Sequence, residues 1–314
     1  MPAPPLPPVQ LPQSYASLDY TSISLSHHPA TSKEVTPIII LTLNRPKANN
    51  AFTEQMGEEM VQCFRMFDVD DRVKVIVVTG QGKMFCPGAD LQVGFRRSVE
   101  RIGEHRDGGG RVTTSIHACR KPVIAAINGS AVGIGITMTL PMAIRIAPKT
   151  AKIGFVFGRR GLIMEAASSF FLPRLIGRSR AMHLVTTGLT YSPAHRLMDG
   201  LFSEVVDTPA EVLPRAIELA EDIAVNVSSV SWALMRDLMW RGKGSAEETH
   251  LLDSRIIYEL FGTADNGEGV KSFMEKRPPK FVGTMYEHAP QTYPWWTPTN
   301  IVYPAKGKVN GPKL

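Results

Sequence analysis

Apolar residues gather into short runs that stop at glycine, proline or asparagine. Ile38–Leu43 (IIILTL) predicts a strand buried on both faces, broken by Asn44-Arg45-Pro46. Lys74–Thr79 (KVIVVT) predicts a second, closed by Gly80, and Pro122–Ile127 a third that runs into the turn Asn128-Gly129. Between the first two, Met56, Met60, Phe64 and Phe67 recur every three or four residues, giving a helix from Thr53 to about Val69 one apolar face. Glu165–Ile176 and Arg178–Thr187 also fit helices, the second closed by Gly188. Ser192-Pro193 predicts a short helix ending at Gly200, with serine as cap and proline in the first turn. Helical segments follow near 209–224, 228–241, 246–261 and 266–275. The stretch 94–111 is charged and glycine-rich and is expected as a mobile surface loop; its Gly108–Gly110 run has no strand before it and no Gly-Lys-Ser/Thr signature, so it is not read as a phosphate cradle. Strands mixed with helices, then a helical region, predict an α/β core with a helical appendage.

The two ends lack this periodicity. The start, MPAPPLPPVQLP, has six prolines in twelve residues and predicts a flexible or polyproline tail, with no features of a secretory signal. Residues 282–314, with the patch TYPWWTP, are expected to pack on the surface or on a partner subunit.

Composition narrows the function classes. At 314 residues, 43% hydrophobic and 20% charged, the chain can bury a large core. No apolar stretch is long enough to span a bilayer, so no membrane partner is expected. The net charge of +6 is spread along the chain without a nucleic-acid recognition module. It suits a polyanionic small molecule better than nucleic acid. Cys63, Cys86 and Cys119 are few and far apart, which predicts three reduced thiols rather than a disulfide framework or zinc site.

Candidate chemistry lies in three segments: MFCPGADL (84–91), NGSAVGIGI (128–136) and GLIMEAASS (161–169). Gly88 and Gly133 alone would mean only tight turns, and a lone Glu165 only a first-turn acid. In order, with strands between them, they fit an oxyanion hole and a base. Main-chain N–H groups of Ala89 and Ile134, at turns or helix starts, could hold a thioester oxygen as it becomes an enolate. Glu165 could then remove and return a proton on carbon. Burial among Leu162, Ile163, Met164 and Phe170 is expected to raise its pKa.

These segments, with LNRPKANNAF (43–52), PVIAAINGSAVGIGI (122–136) and LTYSPAHRLMDGLFSEVV (189–206), resemble the enoyl-CoA hydratase/isomerase (crotonase) family over roughly residues 36–281. The resemblance implies a Pro-rich tail over 1–35, a superhelix of ββα units over 36–207, and a helical trimerisation region over 208–281. It also implies acyl-CoA substrates, homotrimers or hexamers, and no metal or separate cofactor, CoA arriving with the substrate. By motif, Ala89 and Ile134 match the oxyanion donors beside Gly88, Gly133 and Gly135, while Lys47 and Ala48 fall on the CoA pocket.

The departures carry the choice of reaction. The two positions where two-glutamate hydratases keep their acids are Thr137 and Phe157 here. Glu165 falls instead where peroxisomal Δ3,Δ2-enoyl-CoA isomerases keep a single acid, with Ala166 in place of a glycine. One carboxylate suffices to shuttle a proton, so isomerisation is favoured. Alternatives are hydration, in β-oxidation or secondary metabolism, and a catalytically silent acyl-CoA-binding member. Arg159-Arg160 is read as a solvated pair, Asp90 as a helix cap, and His117, His183 and His195 as structural. Ser168 and Ser169 fit either a hydrogen bond to Glu165 or a packing contact. Pro312-Lys313-Leu314 resembles a relaxed peroxisomal address, implying a peroxisomal enzyme and its import receptor.

Overall fold

The computed structural model describes residues 8–94, 104–299 and 301. Elements follow in the order β1 (Ile23–His28), β2 (Ile38–Leu43), α1 (Glu54–Val69), β3 (Val75–Gly80), β4 (Met84–Cys86), α2 (Gly108–Ala118), β5 (Val123–Ala126), β6 (Ser130–Val132) and α3 (Ile134–Thr137). Then come β7 (Ile144–Pro148), β8 (Ile153–Gly154), α4 (Ser168–Ile176), α5 (Arg178–Thr187), β9 (Thr190–Tyr191), β10 (Glu204–Val206) and helices α6 (Pro209–Asn226), α7 (Ser229–Arg241), α8 (Ala246–Leu260), α9 (Ala264–Glu275) and α10 (Met285–His288).

Among the described residues the strands form two sheets, ordered β1-β2-β3-β5-β7-β10 and β4-β6-β8-β9. The larger is parallel except where β1 joins β2, and the smaller except where β9 joins β8. Alternation along β2 explains its unbroken apolar run. Ile39, Leu41 and Leu43 enter the main core with Met56, Met60, Phe64 and Phe67 of α1. Ile38 and Ile40 enter a second layer closed by Val212, Ala216, Ala220 and Ala224 of α6. Alanines on the buried stripe of α6 let the helix lie close to the sheet.

The three predicted strands and α1 stand close to their expected places, and Thr53 caps α1 by accepting the Met56 N–H. Four expectations need correction. First, β1 lies inside the expected tail; it pairs with β2 from Ile23↔Leu43 to His28↔Ile38. Buried Glu59 holds this entry by accepting N–H groups from Thr21, Ser22 and Ile23. Second, the expected loop 94–111 ends in α2, capped by Asp107, whose carboxylate accepts the Gly110 N–H. A triple glycine has poor helix propensity, and tertiary packing overrides it: a Cβ on Gly109 would meet Glu165 and Ile134. Third, α4 starts at Ser168, not at Glu165, because Ala166 and Ala167 take left-handed backbone angles, φ 57° and 51°. Fourth, Ser192-Pro193 opens no helix; a single 3-10 turn, Arg196–Met198, is capped by His195, which accepts the Leu197 N–H.

The 282–299 stretch folds back on α7 of its own chain. Tyr293 donates its hydroxyl to Asp237 at 2.9 Å, and the Trp295 indole N–H donates to the Arg241 carbonyl at 3.0 Å. Pro312-Lys313-Leu314 lies outside the described residues, as does 95–103 of the expected loop.

Candidate active site

Two neighbouring strands build the donor side of the site. β4 and β6 run parallel, Cys86 beside Ala131, so the turns that leave them lie together. Gly88 has φ +114° and a Cβ there would stand 3.3 Å from the Val132 carbonyl oxygen. Gly133 has φ +56°, and a Cβ on it would lie 3.8 Å from Gly88 Cα. Both positions need glycine for their positive φ, and Gly88 also for its close approach to Val132. Gly135 is needed for packing, since its Cβ would meet the Cys86 carbonyl at 2.1 Å.

The turns leave two amides free. Phe52 donates to the Gly88 carbonyl at 2.8 Å and accepts the Asp90 N–H at 2.9 Å. The alternation of an extended backbone therefore turns the Ala89 N–H away from Phe52. Ile134 is the first residue of α3, where helical N–H groups have no intrahelical acceptor. Neither amide donates to another group among the described residues.

Glu165 reaches the same place from the loop after β8. Its carboxylate accepts the Thr137 hydroxyl at 2.6 Å, and Thr137 sits one turn past Ile134 on α3. On the other side it lies over Gly109 of α2, where a Cβ would fall 1.9 Å from the carboxylate and 2.6 Å from the Ile134 side chain. The carboxylate and Ile134 thus meet over one glycine. Burial pushes the Glu165 carboxyl up to about 7; the Thr137 hydrogen bond opposes the rise and the negative Asp107 adds to it. A carboxyl tuned there exchanges protons readily near neutral pH.

The surroundings differ in part from the expected ones. Leu162 and Ile163 are exposed at 39% and 87%, whereas Gly109, Ile134 and Thr137 lie beside the carboxylate. Met164 is partly buried and Phe170 is exposed, stacked under the Arg174 guanidinium. Phe157 is buried, with its ring edge 4.0 Å from where a Gly133 Cβ would stand.

Lys47 and Ala48 form a 3-10 turn outside this cluster, Lys47 exposed and Ala48 half-buried. An ion pair connects their loop to the donor turn: Arg45 Nη2 donates to Asp90 Oδ2 at 2.9 Å, and Arg45 also bonds the Ala51 carbonyl. Asp90 is therefore a brace between loops, and its Oδ1 also receives the Gln92 N–H at 3.1 Å. Buried Asn50 fixes the same loop, donating to the carbonyls of Gln81 and Met84 and accepting the Arg45 N–H.

The remaining candidates lie apart from the cluster. Ser168 bonds the main-chain carbonyl of Glu165, not its carboxylate, and Ser169 is exposed. His117 is packed edge-on against Phe171 and Trp240, and burial lowers its pKa to about 3. His183 bonds the Tyr191 hydroxyl. Arg159 donates to the Thr187 carbonyl and Arg160 is exposed beside it. Cys63, Cys86 and Cys119 are buried free thiols. Among the described residues, no group of three or more His, Cys, Asp or Glu side chains could hold a metal ion.

Among the described residues, two amides without an acceptor and a carboxylate bonded to Thr137, one turn past the second of them, form a group that relatives can test. The family model described as enoyl-CoA hydratase/isomerase matches residues 33–284. The chain belongs to the enoyl-CoA hydratase/isomerase family. It is 53% identical over 252 residues to an "Enoyl-CoA hydratase" of Alternaria alternata, covering 80% of this chain and 85% of that one. It is 33% identical over 254 residues to "1,2-epoxyphenylacetyl-CoA isomerase" of Escherichia coli K12, covering 78% and 95%. A solved enoyl-CoA hydratase from Bacillus anthracis superposes with a TM-score of 0.73 at 30% identity, covering 84% of this chain and all of that one. The crotonase fold and membership in this enzyme family follow.

Sequence reasoning missed Asp107 and Gly109, and used Thr137 only as the site of a missing acid. Asp107 before a glycine run carried a capping signal, which the low helix propensity of glycine obscured.

Proposed function

We propose that the protein binds an enoyl-CoA, holds its thioester oxygen with the Ala89 and Ile134 N–H groups, and isomerises it with Glu165 as the single proton shuttle. Ionised Glu165 takes a proton from C2 of a 3-enoyl-CoA. The electron pair moves onto the thioester oxygen as a dienolate. Return of the proton to C4 leaves the 2-enoyl-CoA, and nothing else is consumed. The supporting observation is the contact of Glu165 with Thr137, one helical turn past Ile134, whose N–H has no acceptor among the described residues. Gly88, Gly133 and Gly135 allow that donor pair, and Lys47 and Ala48 line the path of CoA on this reading.

Hydration is the second reading, favoured by the name of the Alternaria alternata relatives at 53% identity. Product analysis with 3-enoyl-CoA and 2-enoyl-CoA separates the two. Conversion of the 3-enoyl substrate without hydroxyacyl-CoA supports isomerisation; hydroxyacyl-CoA from the 2-enoyl substrate supports hydration. Binding of both with turnover of neither would leave a silent acyl-CoA-binding protein.

The same reading includes self-association through the helical region. Tyr258, Phe261, Phe273 and Met274 are exposed on α8, α9 and their junction, beside a groove of about 710 Å³. Analytical ultracentrifugation tests it: a trimer or hexamer is expected, and a monomer at micromolar concentration rejects it.

A further inference from the structure

We propose that Asp107 is a positioning residue for Glu165, tying the backbone that carries the base to the start of α2 and placing a second negative charge near the carboxylate. The inference rests on Glu165 acting as the base. One carboxylate oxygen, Asp107 Oδ1, accepts two N–H groups: Gly110 at 2.5 Å, which caps α2, and Ala166 at 3.3 Å, the residue after Glu165. Gly109, which makes room for the Glu165 carboxylate, stands between those bonds on the same turn.

The anchor is needed where it sits. Ala166 and Ala167 are consecutive left-handed residues with side chains, a conformation costing about 1 kcal/mol or more each. Without an external bond, that stretch gains by relaxing, and Glu165 would swing off α3. Asp107 supplies the bond at the strained residue itself.

The charge acts separately from the geometry. Among the described residues, the groups acting on Glu165 from the elements around it are the Thr137 hydroxyl, the Cys86 thiol and Asp107. Burial pushes Cys86 up to about 12, so it is neutral, and Arg111 on α2 is engaged by Glu58. Among the described residues Asp107 is thus the charge that acts on Glu165, and it favours the protonated form of the base.

Two substitutions divide these roles. Asp107→Ser still caps α2 but is too short to reach the Ala166 N–H as well. It is expected to lower kcat about tenfold, with KM within about twofold and an unchanged melting temperature. Asp107→Asn keeps an oxygen acceptor for both N–H groups and removes the charge. It is expected to retain most of kcat at pH 8, while the ratio of turnover at pH 6 to that at pH 8 rises about two- to threefold. An Asp107→Ser enzyme with wild-type kcat, or an Asp107→Asn pH profile that overlays the wild type, overturns the proposal. Glu165→Gln is the control. Full activity in that variant would remove the base itself, a failure distinct from wild-type behaviour of the Asp107 variants in an enzyme that still depends on Glu165.

Discussion

Replacing Glu165 with glutamine should make the protein inactive and, above neutral pH, more stable. Burial raises the folded-state pKa of Glu165 from 4.5 to about 7. Below about pH 4.5 the carboxyl is neutral whether the chain is folded or unfolded, and it costs nothing. Between pH 4.5 and 7 the unfolded chain sheds its proton while the folded chain retains it, so folding stability falls as pH rises. Above pH 7 the folded chain carries a charge in a poorly solvated place, and the penalty is complete at about 3 kcal/mol. Glutamine has nearly the same shape, carries no charge, and keeps an oxygen to accept the Thr137 hydroxyl. Urea unfolding should therefore find Glu165→Gln more stable than wild type by about 3 kcal/mol at pH 8 and equal to it at pH 4.5. Turnover of enoyl-CoA should fall by about 10³-fold, the scale of a lost general base. A stability gain independent of pH, or none at pH 8, would refute the assignment of a buried, uphill carboxylate.

Three further outcomes follow from the same geometry. Gly109→Ala puts a methyl group where the carboxylate lies and should cut kcat by about 10²-fold or more, measured beside a circular dichroism melt that stays cooperative. Thr137→Val deletes the hydrogen bond that favours ionised Glu165; the rising limb of the pH–rate profile should move above 7. A profile that moves to lower pH would reject that role. Ala166→Gly relieves a left-handed alanine and should stabilise the fold by about 1 kcal/mol in chemical denaturation, with no loss expected if Asp107 still holds the amide.

Legibility in the sequence followed the range of the forces involved. β2, β3 and β5 are buried on both faces, and burial writes itself into continuous apolar runs such as IIILTL. α1 could be read because its stripe faces one core. The short strands β4, β6, β8 and β9 have two or three residues each, too few to carry a period, and they exist because neighbours pair with them. They also carry the site. Ala89 and Ile134, the proposed donors, are recognisable only through the glycines that flank them. The start of α2 was unreadable for the opposite reason: Gly109 is kept small by a side chain 56 positions later in the chain, and local propensity contains no trace of that.

The position of the acid illustrates the limit most clearly. Two-glutamate members of the family keep an acid at the place of Thr137, and its loss here reads, letter by letter, as the loss of half a catalytic pair. In space the loss is partly made good. Glu165 comes from a different loop and its carboxyl group ends 2.6 Å from the Thr137 hydroxyl, so a carboxyl group still stands beside the turn that carries Ile134. On the proposed reading the reaction needs a carboxylate at a point, and two loops can deliver one there. Reaching that point from residue 165 takes an unusual backbone, with left-handed Ala166 and Ala167, a bare Gly109 beneath, and Asp107 across the gap. Each of those features is costly or unremarkable alone, and each is accounted for once the carboxylate must be held against α3.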